Sequence, residues 1–248
     1  MSSPVLRAVL TALFVAALAW HTAPTHAAAP EPAPSPVAVL YFDYSGGDDE
    51  IAQLRKGLAQ MLITDLSNEP RLALVERLAI ESVLGELALQ ATRAIDKATA
   101  VKVGKLVGAR FLVLGGYFTH GETLRIDARV IRVETGVVVR AVGVNGKADD
   151  FLDLERILAD QLGKILVEAH VATPITKNPP KLNPGPRVER TAHARPARLR
   201  TRTAARYGKA LDLADKGDRA SARKELEAVL VEAPEFGLAK SDLARLVQ

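Results

Sequence analysis

The stretch YFTHGETLRIDARVIRVETGVVVRA, residues 117–141, alternates apolar and polar side chains and is interrupted twice, at His120-Gly121-Glu122 and at Glu134-Thr135-Gly136. Successive side chains of a strand leave opposite faces of the pleat, so alternation means strands with one covered face. A strand crossing an outer membrane alternates in the same way. The chain therefore builds either an antiparallel sheet on a water-excluding core or a bilayer-crossing hairpin. Its other segments have to be compatible with one of the two.

The N-terminus reads as a segment to be removed. Arg7 precedes an apolar run from Ala8 to Trp20, and Thr25-His26-Ala27 supplies small residues at the two positions a cleavage site needs. That order is a secretory signal, assigned to residues 1–27 with the cut after Ala27. The apolar run has 13 residues, short of the roughly 20 that span a bilayer, and no later segment is apolar enough for a transmembrane helix. AAPEPAPSP, residues 28–36, is a Pro/Ala spacer. The chain has no cysteine, which excludes disulfides, thiolate metal sites, a cysteine nucleophile and a lipid anchor on cysteine. An exported chain without disulfides fits a periplasm.

The net charge of +4 is unevenly distributed. Residues 171–206 hold nine Lys or Arg against one acid, Glu189, so that segment carries +8 and the remainder −4. Six prolines fall within 171–203, and this part is expected to be a basic, Pro-rich linker.

Between spacer and linker, residues 37–170 read as one domain. VAVLYFDY, 37–44, is a strand. Asp48 or Asp49 caps a helix with Ile51, Leu54, Leu58, Met61, Leu62 and Leu66 on one face. A short strand at 72–75 leads to a helix over 77–89 with Ile80, Val83, Leu84 and Leu87 inward, and Asp96 caps a third helix carrying Val101, Val103, Leu106 and Val107. RFLVLGGYF is a strand covered on both faces. Strands at 123–133 and 137–147 follow, then an amphipathic helix over 150–169 with Phe151, Leu154, Ile157, Leu158, Leu162, Ile165 and Leu166 buried. The order β-α-β-α-α-β-β-β-α predicts an α/β fold, a mixed sheet with helices packed on it. Residues 204–248 add a small all-α module. Leu213, Gly217, Ala222, Leu226, Val229, Leu230 and Pro234 occupy positions typical of a tetratricopeptide repeat, and a plain helical hairpin satisfies the same pattern.

Five segments of the domain, VAVLYFDYSG, GLAQMLITDLS, LVERLAIESVLGEL, VGKLVGARFLVLGGY and LRIDARVIRVETGVVV, resemble the family of the curli assembly and secretion component CsgG. The amino-terminal domain of TolB is similar. The resemblance implies a periplasmic α/β domain of envelope assembly machinery, often oligomeric, without catalytic residues. Pore-forming members insert long amphipathic hairpins at two places. Here the corresponding links are Thr119-His120-Gly121-Glu122-Thr123 and Gly146-Lys147-Ala148-Asp149-Asp150. A bilayer-crossing strand needs about 9–11 residues beyond those spent in the soluble sheet. The strands are thus expected on a core, with Leu124, Ile126, Ala128 and Val130 inward and Arg125, Asp127 and Arg129 toward water or a partner.

Chemistry is sparse. SGGDDE after the first strand has the place of a phosphate loop, but it lacks the Lys-Ser/Thr pair, and three acids stand where an anion would bind. His120, His170 and His193, the histidines left after cleavage, have no ligand at metal spacing. No Gly-x-Ser-x-Gly occurs. No cofactor, metal or catalytic residue is assigned, and the chain reads as non-enzymatic. The basic linker lacks interleaved aromatics, which argues against nucleic acid and leaves anionic envelope surfaces as its counter-charge. The function expected is an accessory or scaffold in outer-membrane assembly or secretion, with envelope proteins or further copies of the chain as partners. The alternatives are a periplasmic regulator of a peptidoglycan synthase or an unrecognised enzyme. Candidate partner-binding residues are Arg125, Asp127 and Arg129 on the sheet, and Tyr207, Lys209 and Leu213 on the first C-terminal helix.

Overall fold

A computed structural model describes residues 33–88, 96–172 and 196–247. The expected signal peptide, most of the Pro/Ala spacer, most of the basic linker and His193 lie outside the described residues.

Six strands form one sheet: β1 (Ser35–Val39), β2 (Asp43–Tyr44), β3 (Leu72–Leu74), β4 (Phe111–His120), β5 (Thr123–Arg132) and β6 (Val137–Lys147). The order is β3-β1-β4-β5-β6, with β2 also beside β4. β1 pairs in parallel with β3 and β4, and β4-β5-β6 is an antiparallel meander. This is the mixed sheet that the element order predicted. The strand expected over 37–44 is divided. Val39 pairs with Val113 but Asp43 with Gly116, so one extra residue is accommodated before β2, the local effect of a bulge. Phe42 turns from this irregularity toward Gly115, where a Cβ would overlap the Asp127 carbonyl and come within 2.6 Å of the Phe42 ring. Glycine in a strand interior marks such a close approach. Gly115→Ala is expected to cost about 1–3 kcal/mol by overpacking, read as a lower urea midpoint at unchanged slope.

The helices of this body are α1 (Asp49–Ala52), α2 (Leu54–Leu66), α3 (Arg77–Glu86), α4 (Lys97–Leu106) and α5 (Phe151–Ala172). Asp48 caps α1, accepting from the N–H groups of Glu50 and Ile51, and Asp96 caps α4 through Ala98 and Thr99. The expected first helix is interrupted at Gln53. There the Tyr117 hydroxyl donates to the carbonyls of Ile51 (2.9 Å) and Ala52 (3.2 Å), tying the break to the sheet. A side chain that engages carbonyls of the ladder is a recognised cause of such breaks.

α5 lies across β5 and β6, over an inner face on which Leu124, Ile126, Ala128 and Val130 are all buried. The alternation that opened the sequence reading thus belongs to a packed sheet. One residue expected to be buried is corrected: Ile157 is 49% exposed. At 100° per residue the buried positions of α5 span an arc from Leu154 through Phe151 to Leu152, and Ile157 falls about 60° beyond its edge. On α4, Leu106 stands in the same relation to Val103 and Gly104 and is 52% exposed.

Three more helices follow: α6 (Thr201–Asp215), α7 (Arg219–Glu232) and α8 (Gly237–Val247). Gly217, at φ +83°, makes the turn into α7, where Asp218 caps through the Ser221 N–H. α6 begins inside the stretch expected as linker and packs across α2. The backbones meet at two glycines. A Cβ on Gly57 would lie 2.9 Å from the Ala204 carbonyl oxygen, and one on Gly208 would overlap the Gln53 carbonyl.

Candidate functional site

Cross-strand partners share a face of the sheet. Arg125, Asp127 and Arg129 stand opposite Phe118, Gly116 and Leu114 on β4, and opposite Asn145, Gly143 and Ala141 on β6. α4 covers the base of this outer face: a Cβ on its Gly104 would lie 2.5 Å from Leu112 and 2.9 Å from Val133. Further along, the face is open, and Phe118 is 38% exposed. Arg125 grips Asp127 with both arms, Nε to Oδ2 at 2.8 Å and Nη2 to Oδ1 at 2.7 Å. The pair lies over Gly143, where a Cβ would collide with the Asp127 carboxylate. Arg125 titrates above its ordinary value because Asp127 hydrogen-bonds and attracts its charged form. The structure therefore presents a flat, glycine-floored patch with one fixed ion pair and the exposed Arg129 beside it.

The candidates on α6 are placed differently. Tyr207 is fully buried, donating its hydroxyl to Asp242 at 2.7 Å and meeting Phe236 edge-on at 5.0 Å. It is corrected from a partner contact to an internal strut, because α8 folds back over the side of α6 that the repeat pattern left free. Burial pushes its pKa up. Lys209 is exposed and bridges to Glu225 on α7 at 2.7 Å. Leu213 is half-buried.

Sequence reasoning missed a buried cluster where α6 meets the body. Arg77 on α3 holds Asp215 with both nitrogens, at 2.6 and 2.9 Å. Lys56 on α2 reaches Asp215 at 2.7 Å, Asp212 at 3.0 Å and Glu81 at 3.2 Å. Tyr41 donates to Glu81 and receives Arg77 at 3.3 Å. The Arg77 and Asp215 side chains are only 6% and 5% exposed. Burial on its own would lower the Lys56 pKa, but the hydrogen bonds it donates to Asp215 and Asp212 and the fields of Asp215 and Glu81 hold it above its ordinary value. Asp212 is held low, the bonds from Lys216 and Lys56 outweighing its burial. A signal was present: two acids at i and i+3 near the end of a helix whose start is basic.

Two other polar features lie apart from this cluster. Ser35 Oγ and His170 Nδ1 are 2.6 Å apart, both buried, joining the end of α5 to the start of β1. An open groove of about 760 Å³ between the end of α2 and α5 is lined by the acids Asp65, Glu69, Asp160 and Glu168 and the bases Arg71, Arg156 and Lys164, a mixture of both signs. Among the described residues no group of three or more His, Asp or Glu is placed to hold a metal ion, and no helix is long and apolar enough to cross a membrane.

The family described as curli production assembly/transport component CsgG matches residues 36–125, from β1 into β5. No curated protein matches the chain. Among solved structures, the LpoB C-terminal domain from Salmonella enterica is similar at 15% identity, covering 48% of this chain and 87% of that one, with a TM-score of 0.40. Lipoprotein GNA1162 from Neisseria meningitidis is similar at 13% identity, covering 58% and 100%, also at 0.40. The PelC dodecamer from Paraburkholderia phytofirmans is similar at 13% identity, covering 55% and 91%, at 0.33. The sheet-bearing body of this chain is CsgG-like in sequence from residue 36 to residue 125, and the C-terminal helices stand outside that match.

Proposed function

We propose that this chain is an exported, non-catalytic protein of the bacterial envelope, an accessory or scaffold in outer-membrane assembly or secretion that works by binding proteins and is not itself a pore. The family match over residues 36–125 carries the reading. The surface that fits it is the outer face of β4–β6, with Arg125, Asp127 and Arg129, and a second copy of the chain is the partner to test first. Large flat faces with fixed charges and an aromatic at the margin suit protein contacts better than small-molecule binding, which needs concavity. The links of the meander support the absence of a pore: β4 ends at His120 and β5 begins at Thr123, and only Ala148–Asp150 separates β6 from α5.

The test is multi-angle light scattering on the chain from Ala28 onward, for the wild type and for Arg125→Glu with Arg129→Glu. Self-association of the wild type above a monomer, weakened at least about tenfold in Kd by the double reversal at unchanged thermal stability, is the expected result. A strict monomer at high micromolar concentration, or assembly indifferent to both reversals, overturns the use of this face.

A further inference from the structure

α6 carries its charges in the wrong order for an isolated helix. Arg198, Arg200 and Arg202 cluster at its start, and Asp212 and Asp215 at its end. Cations at a helix N-terminus and anions at its C-terminus both oppose the macrodipole. Lys216 at the end of α6 answers Asp212 at 2.5 Å, and the other compensating charges belong to the body. Arg198 meets Asp149 and Asp150, each at 3.5 Å; Arg202 meets Asp48 at 3.3 Å and also Glu50; Asp212 and Asp215 meet Lys56 and Arg77. The charge pattern of α6 is written for the surface under it.

That surface is poor in apolar side chains. Gln53, Gly57, Gln60 and Thr64 form the outward stripe of α2 at spacings of four, three and four, with Leu58, Leu62 and Leu66 roughly opposite. α6 brings Ala204 and Gly208 to the crossing. Its large ring, Tyr207, is spent inside the C-terminal unit on Phe236 and Asp242. Leu211, 4% exposed, is the one large apolar side chain on the stripe that Ala204, Gly208 and Asp215 share, so close backbone approach and charge carry much of the docking.

We propose that α6–α8 form a detachable cover over α2, clamped by charge at both ends of α6, and that its release bares the Gln53–Gly57–Gln60–Thr64 stripe together with Lys56 and Arg77. The inference does not depend on the outer-face reading, since it concerns the opposite side of the sheet. Salt weakens the exposed arginine end, because the screening length falls from about 10 Å at 0.1 M to about 3 Å at 1 M. The buried Arg77–Asp215 end resists salt and has to be released by substitution.

The chain has no cysteine, so labels can be placed at will. Lys102 and Lys224 are exposed and sit on the body and on α7. Spin labels at Lys102→Cys and Lys224→Cys report the separation of the two units by pulsed electron resonance. At 0.05 M salt the otherwise wild-type chain is expected to show one narrow distance. Asp212→Asn with Asp215→Asn, and separately Gly208→Val, are expected to add a longer, broader population. This rises to about half of the molecules at 1 M salt while helix content by circular dichroism is retained. One unchanged distance in both variants at 1 M overturns the proposal. So does loss of the short distance together with loss of helix, which would make the C-terminal unit an inseparable part of the fold.

Discussion

Arg77→Leu is expected to weaken the docked fold by about 3 kcal/mol, toward the lower end of what removing one partner of a buried ion pair costs. The leucine leaves Asp215, 5% exposed, with Lys56 as its remaining cation at 2.7 Å. It also strips Tyr41 of the guanidinium at 3.3 Å. Adding Asp215→Leu to that variant should recover most of the loss, because two apolar residues carry no uncompensated charge. Arg77→Lys should not recover it, since an ammonium cannot make the two-armed contact. Urea denaturation of the wild type, Arg77→Leu, Asp215→Leu and the double variant, as a double-mutant cycle, reads the coupling. A loss under about 1 kcal/mol for Arg77→Leu would mean that water reaches Asp215 and that the cluster is an ordinary surface network.

The second large effect is a pH dependence centred on Glu155. This carboxyl is fully buried in the stripe of α5, and burial pushes its pKa up to about 8, partly opposed by the field of Arg156. In the unfolded chain it titrates near 4.5. Below that value both states hold the proton and the group contributes no slope. Between about 4.5 and 8 the folded state holds a proton that the unfolded state has lost, so stability falls as pH rises, and above about 8 the slope vanishes again. The whole change is on the order of 4–5 kcal/mol. Glu155→Gln, which keeps the shape and cannot ionise, should remove it. The difference in unfolding free energy between wild type and variant, followed from pH 5 to pH 8.5, isolates the effect from every other titrating group. Parallel profiles over that range would show that the carboxylate is accommodated ionised.

Much of the body was legible from residue order because the signals are local. Asp48 and Asp96 announced their helices through a side-chain oxygen that reaches an N–H two or three residues on. The inward set Leu124, Ile126, Ala128 and Val130 followed from period two alone. Ile157 was misplaced because an apolar residue near the edge of a helical arc has the same spacing as one inside it. On the outer face, the alternation located Arg125, Asp127 and Arg129, but the two-armed pair and its glycine floor depend on β6 lying alongside, in register. Tyr207 failed because the repeat pattern describes two helices, and the third one buries it.

The sequence by itself determined the order of the main elements, the sides of the strands and the starts of the helices that Asp48 and Asp96 cap, each set by interactions spanning no more than a turn or two. Only the tertiary structure decided that β3 and β4 flank β1, and that α6 lies on the glycine of α2. It alone decided that Lys56 and Arg77 answer acids 159 and 138 residues away. Periodicity states that a face is covered without stating by what. A charge finds its partner through the fold, and two glycines become a contact only when the two backbones meet.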